Sequence, residues 1–349
     1  MSKNPNVQKL LIIGGPTASG KTKLAIQVAQ KFNGEIINAD SRQVYKYFDI
    51  GTNKEKLQIQ ESLIPAFFMD DTKIKYWLFD FLDPEEEFSV REYQKLTTNI
   101  INNITNRAKL PILVGGTGLY IDAIIKNYKL STPTDKKLRK KLEKKSVIEL
   151  QEILKTIGFN LRKLNKSDIK NKVRLIRIIE KLKSSTVNKS TISDSDININ
   201  RWLNSWFNIP WLNISNQSNR LYNQLNINLN HPKYDYLFLY PEFDREELFK
   251  RINNRVLEMF KKGLVKEVKF LIDHGFKNVK PMQGIGYKEV IEYLERKITK
   301  QRCIEKIQQS HRNYAKRQIT WFEGKGRGYN LTRVTKQNII SVVQNWLAS

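Results

Sequence analysis

Eight consecutive residues, Gly15-Pro16-Thr17-Ala18-Ser19-Gly20-Lys21-Thr22, match the phosphate-loop pattern G-x-x-x-x-G-K-[ST]. In that pattern backbone N–H groups turn inward and the helix that follows adds its positive dipole, so the loop cradles phosphate oxygens. Lys21 supplies a point charge, and the Thr22 hydroxyl suits Mg²⁺. A chance glycine turn would not need the Lys-Thr pair. The loop does not name a reaction. A nucleotide hydrolase also wants an acid after a later apolar strand, to hold Mg²⁺ and orient water. The run Ile112-Leu113-Val114 ends instead in Gly115-Gly116-Thr117. An acid does follow an earlier run, as Asp40 after Ile36-Ile37. Carboxyl ends of neighbouring parallel strands open beside such a loop. Asp40 is therefore expected to face the phosphates and to suit a general base. The plainer alternative is that Asp40 only caps the turn at Ser41.

The elements that must hold these groups follow from periodicity. Residues 10–13, 36–37 and 111–114 are short apolar runs ended by glycine or Asp, the pattern of buried parallel strands. Leu24, Ala25, Val28 and Ala29 share one face of a helix after the glycine loop, and residues 93–107 read as another helix. The fold class is α/β: a P-loop NTPase-like parallel sheet flanked by helices, interrupted by a helical insertion domain. The core takes residues 1–130 and 231–349, and the insertion takes 131–230. From 135 to 183 the pattern is helical and very basic. Residues 184–200 are rich in Ser, Asn and Thr and read as a connector. Trp202, Trp206 and Trp211 read as a hydrophobic anchor. Residues 234–240 return to the sheet as a strand, and helices are expected at 245–273, 287–297 and 299–322.

The chain has 349 residues and a net charge of +26, from 61 Lys and Arg against 35 Asp and Glu. Such an excess describes partners: nucleic acid, an anionic surface or several phosphates. The single cysteine, Cys303, rules out an internal disulfide and a cysteine-built zinc site, which fits a reducing compartment. His231, His274 and His311 lack metal-ligand spacing. No stretch approaches the about 20 apolar residues of a membrane span. A soluble, cytoplasmic monomer without membrane contact is expected.

The glycine loop, then Asn38-Ala39-Asp40-Ser41-Arg42-Gln43-Val44-Tyr45, Asp49-Ile50-Gly51-Thr52, Asp83-Pro84 with Phe88-Ser89-Val90, and Val114-Gly115-Gly116-Thr117-Gly118-Leu119-Tyr120 recur in order. Arg174-Leu175-Ile176-Arg177, Gln283-Gly284-Ile285-Gly286-Tyr287-Lys288-Glu289, and Arg312-Asn313-Tyr314-Ala315-Lys316-Arg317-Gln318-Ile319-Thr320-Trp321-Phe322 complete the series. Together they resemble the tRNA dimethylallyltransferase family over nearly the whole chain. The resemblance implies that the loop binds the diphosphate of dimethylallyl diphosphate and not ATP. The acceptor is then N6 of adenosine 37 in a tRNA anticodon stem-loop, and Mg²⁺ assists. It implies Asp40 as general base, Thr117 near the reacting centre, Lys21 and Thr22 on diphosphate and metal, and Asp40, Ser41, Arg42 and Gln43 on the target nucleotide. Gly286 and Tyr287 are expected at the tRNA. An arginine from the helix after Tyr240, Arg251 or Arg255, should reach the diphosphate, although Arg251 could equally pair with Glu247. The family's His-His pair before Asp-Pro is replaced by Tyr76-Trp77, so no role of those histidines carries over.

Arg174, Arg177 and Lys181 share one helix face, opposite Leu175, Ile178, Ile179 and Leu182, and suit phosphate contact. Arg312, Lys316 and Arg317, interleaved with Tyr314 and Trp321, suit single-stranded RNA; the two aromatics could equally be core. Three other readings compete: an adenylate isopentenyltransferase acting on free AMP, a P-loop kinase of a small metabolite, and an RNA-binding protein with a relic loop.

Overall fold

A computed structural model describes residues 8–54, 57–60, 66–69, 74–128, 135–164, 166–187, 234–324 and 328–349. The elements begin with β1 (Lys9–Gly14), α1 (Lys21–Lys31), β2 (Gly34–Asn38), β3 (Leu57–Gln60), β4 (Ala66–Met69) and β5 (Lys75–Trp77). Then come α2 (Val90–Asn106), β6 (Leu110–Gly115) and α3 (Gly118–Ile125), followed by α4 (Lys136–Glu143), α5 (Val147–Thr156), α6 (Lys166–Ile169) and α7 (Lys172–Val187). After residue 234 lie β7 (Asp235–Pro241), α8 (Arg245–Lys262), α9 (Leu264–Asp273), α10 (Tyr287–Leu294), α11 (Lys300–Glu323), β8 (Leu331–Val334) and α12 (Ile339–Ala348). The chain forms two compact units, Met1–Tyr128 with Leu229–Ser349, and Lys129–Asn228.

In the first unit the described strands form one sheet in the order β3-β4-β5-β2-β6-β1-β7-β8. The pairs from β5 to β8 are parallel, and β3 and β4 add an antiparallel edge. This is the P-loop NTPase-like arrangement. Alternate residues of each strand enter opposite cores. Leu10, Ile12, Ile37 and Leu113 meet Ile100, Ile101 and Ile104 of α2 and Ile121 and Ile124 of α3. Leu11, Ile13, Ile36 and Ile112 meet Leu24, Ala25, Val28 and Ala29 of α1 and Ile339 and Val343 of α12. Burial on both faces is why these strands are continuous apolar runs. A third core joins Val44, Tyr45 and Phe48 to α8–α11 through Val256, Met259, Leu264, Val268, Tyr287, Cys303 and Ile307.

Two sequence expectations change. The two strands that precede the glycine loop and Asp40, β1 and β2, are not neighbours; β6 lies between them. The helix expected over 245–273 is two helices. Gly263, at φ 103°, is the left-handed cap of α8, and the chain turns there so that Leu264 can enter the third core. Tyr76 and Trp77 are buried in strand β5, where Trp77 Nε1 donates to Glu35 at 2.9 Å, so that pair is core. The strands β3, β4, β5 and β8 and the helices α3 and α12 have no counterpart among the elements expected from sequence.

The second unit packs α4, α5 and α7 around Leu138, Leu142, Leu150, Ile153, Leu154, Leu175, Ile176 and Ile179. Ser146 and Glu149 form a capping box that starts α5. The tryptophans at 202, 206 and 211, the connector and His231 lie outside the described residues.

Candidate active site

The phosphate loop leaves β1 at Gly14 and enters α1 at Lys21. Gly20 caps the helix at φ 88° and Ala18 stands at φ 64°, the left-handed geometry that turns the loop's amides inward. The Ser19 hydroxyl is buried without a hydrogen-bond partner among the described residues. Lys21 Nζ donates to the Pro16 carbonyl at 2.5 Å. Burial pushes the Lys21 ammonium down to about 7; the Arg255 charge lowers it further and the Asp40 carboxylate pulls it back. Thr22, Gly20 and Ser19 line a cavity of about 1070 Å³, shared with Asp40, Arg251, Arg255, His311, Tyr314, Arg317 and Gln318.

Asp40 sits just past the carboxyl end of β2, on a loop laced to the end of β6. Ala39 N donates to Val114 O at 2.7 Å, Thr117 N donates to Ala39 O at 3.0 Å, and Ser41 N donates to Thr117 Oγ1 at 3.1 Å. One Asp40 oxygen, Oδ1, accepts from Arg42 N at 2.8 Å, which is the turn-capping role weighed from sequence. No described residue hydrogen-bonds Oδ2, so capping and base chemistry are compatible on one carboxylate. Asn38, fully buried, holds the loop from behind: it accepts from Asp40 N at 2.9 Å and donates to Leu78 O at 2.9 Å. Tyr314 lies beside Thr117; burial raises its phenol, and the Asp40 charge adds to that.

Helix α8 separates the two arginines. Arg255 Nη1 donates to Thr17 Oγ1 of the phosphate loop at 3.0 Å, whereas Arg251 Nε pairs with Glu247 at 3.1 Å with both side chains half exposed. Arg251 lines the same cavity but is held by its own helix. Gln43 spends its amide on the Thr52 and Asn53 carbonyls, and Arg42 Nη1 reaches the Lys280 carbonyl at 3.4 Å.

Tyr287 belongs to the third core. It is 2% exposed, packs on Phe48 and donates to Glu267 Oε1 at 2.7 Å, so its ring fastens the helices to the 49–51 loop at the wall of the cavity. Glu267 also accepts the backbone N–H groups of Asp49, Ile50 and Gly51. Gly286 likewise uses its N–H on Glu289, at 2.8 Å. In the second unit Arg174 pairs with Asp168, and Arg177 pairs at 3.1 Å with Glu180, which is buried and also bound by Arg139 at 3.2 Å. Arg177 is thus first a counter-charge for a buried acid. Arg312 is tied to Asn253 and Gln309, while Lys316 and Arg317 are exposed, Arg317 over the Tyr314 ring at 5.6 Å. Trp321 donates to the Tyr329 hydroxyl at 3.0 Å and packs on the core, the bland alternative for that residue.

Two cavity residues had been assigned nothing. His311 lines the cavity with a buried, unpartnered Nε2, and burial with the neighbouring Arg255 charge pushes its pKa down to about 4. Gln318, 5% exposed, bonds the phosphate loop and the 115–118 loop at once. Both lie on α11, His311 next to Arg312 and Gln318 next to Arg317, at helical spacing that pattern alone cannot orient.

The IPP transferase family matches residues 43–325. A tRNA dimethylallyltransferase of Acetivibrio thermocellus is 39% identical over 320 residues, spanning 90% of this chain and 89% of the relative. The full-length tRNA isopentenylpyrophosphate transferase of Bacillus halodurans superposes with a TM-score of 0.62 at 30% identity, covering 98% of this chain and 96% of that one. A eukaryotic dimethylallyltransferase described as acting on tRNA gives a TM-score of 0.69 at 25% identity, covering 98% and 80%. With the family model matching residues 43–325 and a 39% identical relative spanning 90% of it, this chain, whose phosphate loop and Asp40 line one cavity, belongs to the IPP transferase family.

Proposed function

We propose that this chain transfers the dimethylallyl group of dimethylallyl diphosphate to N6 of adenosine 37 in the anticodon stem-loop of tRNA. The observation that carries the reading is the pairing of Asp40 with the phosphate loop in one cavity, with Gly115-Gly116-Thr117 and no acid at the end of β6. The cavity is furnished to hold a diphosphate and to take one proton.

In this reading the N6 lone pair bonds to C1 of the dimethylallyl group as the C1–O bond to diphosphate breaks. The N6 proton passes to Asp40, whose Oδ2 is available while Oδ1 stays on Arg42 N. The loop amides, Lys21 and Arg255 stabilise the charge that develops on the leaving oxygens. The unpartnered Ser19 hydroxyl gives the anion a donor inside the loop. Thr22 would hold Mg²⁺, in keeping with an ion that uses few protein ligands and shares substrate phosphates; bound there, Mg²⁺ would neutralise diphosphate charge. Thr117 keeps the Asp40 loop in register through Ser41. The exposed Lys316 and Arg317 contribute phosphate contacts, and the target base reaches Asp40 only when turned out of its loop.

The test compares a dimethylallyl-labelled donor with an anticodon stem-loop and with free AMP. Label should appear on the stem-loop adenosine. Asp40→Asn should lower the transfer rate by about 10²- to 10⁴-fold, with diphosphate and RNA binding changed little. Transfer to AMP alone would assign the adenylate reading instead, and phosphate transfer from ATP would assign a kinase.

A further inference from the structure

We infer that Gln318 is a positioning residue that locks the leaving-group loop to the acceptor loop, so that the two substrates meet in register. The inference rests on the dimethylallyl-transfer reading above, but the contacts are independent of it. Gln318 Oε1 accepts from Thr17 N of the phosphate loop at 2.8 Å, and Nε2 donates to Gly116 O at 2.9 Å. The amide is buried, and each of its two ends is engaged.

The two loops reach the chemistry from opposite sides. Thr17 carries the hydroxyl that accepts from Arg255 on the diphosphate side. Gly116 adjoins Thr117, whose N–H and hydroxyl hold Ala39 and Ser41 on either side of Asp40. Gln318 is therefore the bridge in a continuous path: Arg255, Thr17, Gln318, Gly116, Thr117, Asp40 loop. Gly116 is glycine for the same reason. A Cβ there would lie 2.2 Å from Gln318 Nε2, inside the space the bridging amide occupies. Helix α11 presents His311, Tyr314 and Gln318 at i, i+3 and i+7, one face, which makes this helix a wall of the cavity.

A buried amide that spans two loops fixes distance and angle but contacts no reacting atom. Displacements of about 1 Å at a reacting centre can cost on the order of a hundredfold in rate. Gln318→Met keeps the volume and removes both hydrogen bonds. Single-turnover transfer at saturating dimethylallyl diphosphate and stem-loop should fall about a hundredfold. Dissociation constants for inorganic diphosphate and for the stem-loop should stay within about threefold. Amide hydrogen exchange of Thr17 and of the 116–118 segment should speed up in the same variant. Gln318→Glu keeps the acceptor for Thr17 N and loses the donor to Gly116, so only the 116–118 segment should loosen; it serves also if the Met variant folds poorly. An unchanged rate with unchanged exchange overturns the inference. So does a rate loss matched by equal losses of binding and melting temperature, which marks a merely structural side chain. If wild type transfers no prenyl group, the functional reading fails, and the exchange measurement still decides whether Gln318 joins the loops.

Discussion

Lys21 is a side chain whose charge is set by its surroundings. Burial and, after it, Arg255 bring it down to about 7, so its positive charge is easily lost in the free protein. A bound diphosphate supplies opposite charge and raises that value, so binding must take up a proton above pH 7. The sign follows: affinity for dimethylallyl diphosphate, once the ligand is fully ionised, should weaken as pH rises from 7 to 9. Titration calorimetry in two buffers of different ionisation enthalpy measures the proton directly, and Lys21→Met should abolish the uptake. The role of Lys21 was legible in sequence because the loop is a local motif. Its depressed ammonium was not, because burial comes with the folded cavity and Arg255 approaches from α8, more than two hundred residues along the chain.

The sheet depends on a second buried charge. Glu35, in β2, is 1% exposed and meets Arg107 beyond α2, Lys109 before β6 and Trp77 of β5. Burial works against its ionisation, but the hydrogen bonds from Arg107, Trp77 and Lys109 and the Arg107 charge prevail and hold the carboxyl down at about 2. Its folded value lies below the unfolded one, so its contribution is complete above about pH 4.5 and is lost as pH falls toward 2. That contribution is on the order of 3 kcal/mol. Glu35→Gln should lower stability at pH 7 by about that amount, and denaturant melts from pH 5 to pH 2 should show a shallower acid slope than wild type. Sequence periodicity located β1, β2, β6 and β7, whose residues are buried on both faces. It gave no sign of β3, β4, β5 or β8, short strands toward the two ends of the sheet whose pairing comes from neighbours and not from their own pattern.

A net charge of +26 belongs to no single site. Part of the 61 Lys and Arg answers acids within the protein: Arg174, Arg177 and Arg139 pair with acids of their own unit, and Lys54 is buried between Asp49 and Asp80. The remainder sets a salt-dependent affinity for RNA. Stem-loop binding measured from 50 to 200 mM salt should weaken by an order of magnitude or more, and Lys316→Ala and Arg317→Ala should each reduce the slope by about one if each meets a phosphate. A charge pattern alone cannot tell a phosphate contact from an ion pair, and Arg177 illustrates why: its partner Glu180 is three residues away on the same helix, yet only packing reveals that Glu180 is buried.

The chain by itself determined the phosphate loop, the carboxylate at Asp40, the parallel sheet and the order of the family motifs, because each is written in residues close together in sequence. Which arginine meets the loop, that Tyr287 is core, and that Gln318 bridges Thr17 and Gly116 across 301 and 202 residues were decided only by the tertiary structure. A side chain's partner across such a span is set by how helices pack on the sheet. The phosphate loop is shaped by local geometry, but it is tied to the 116–117 loop by Gln318, on a helix near the other end of the chain.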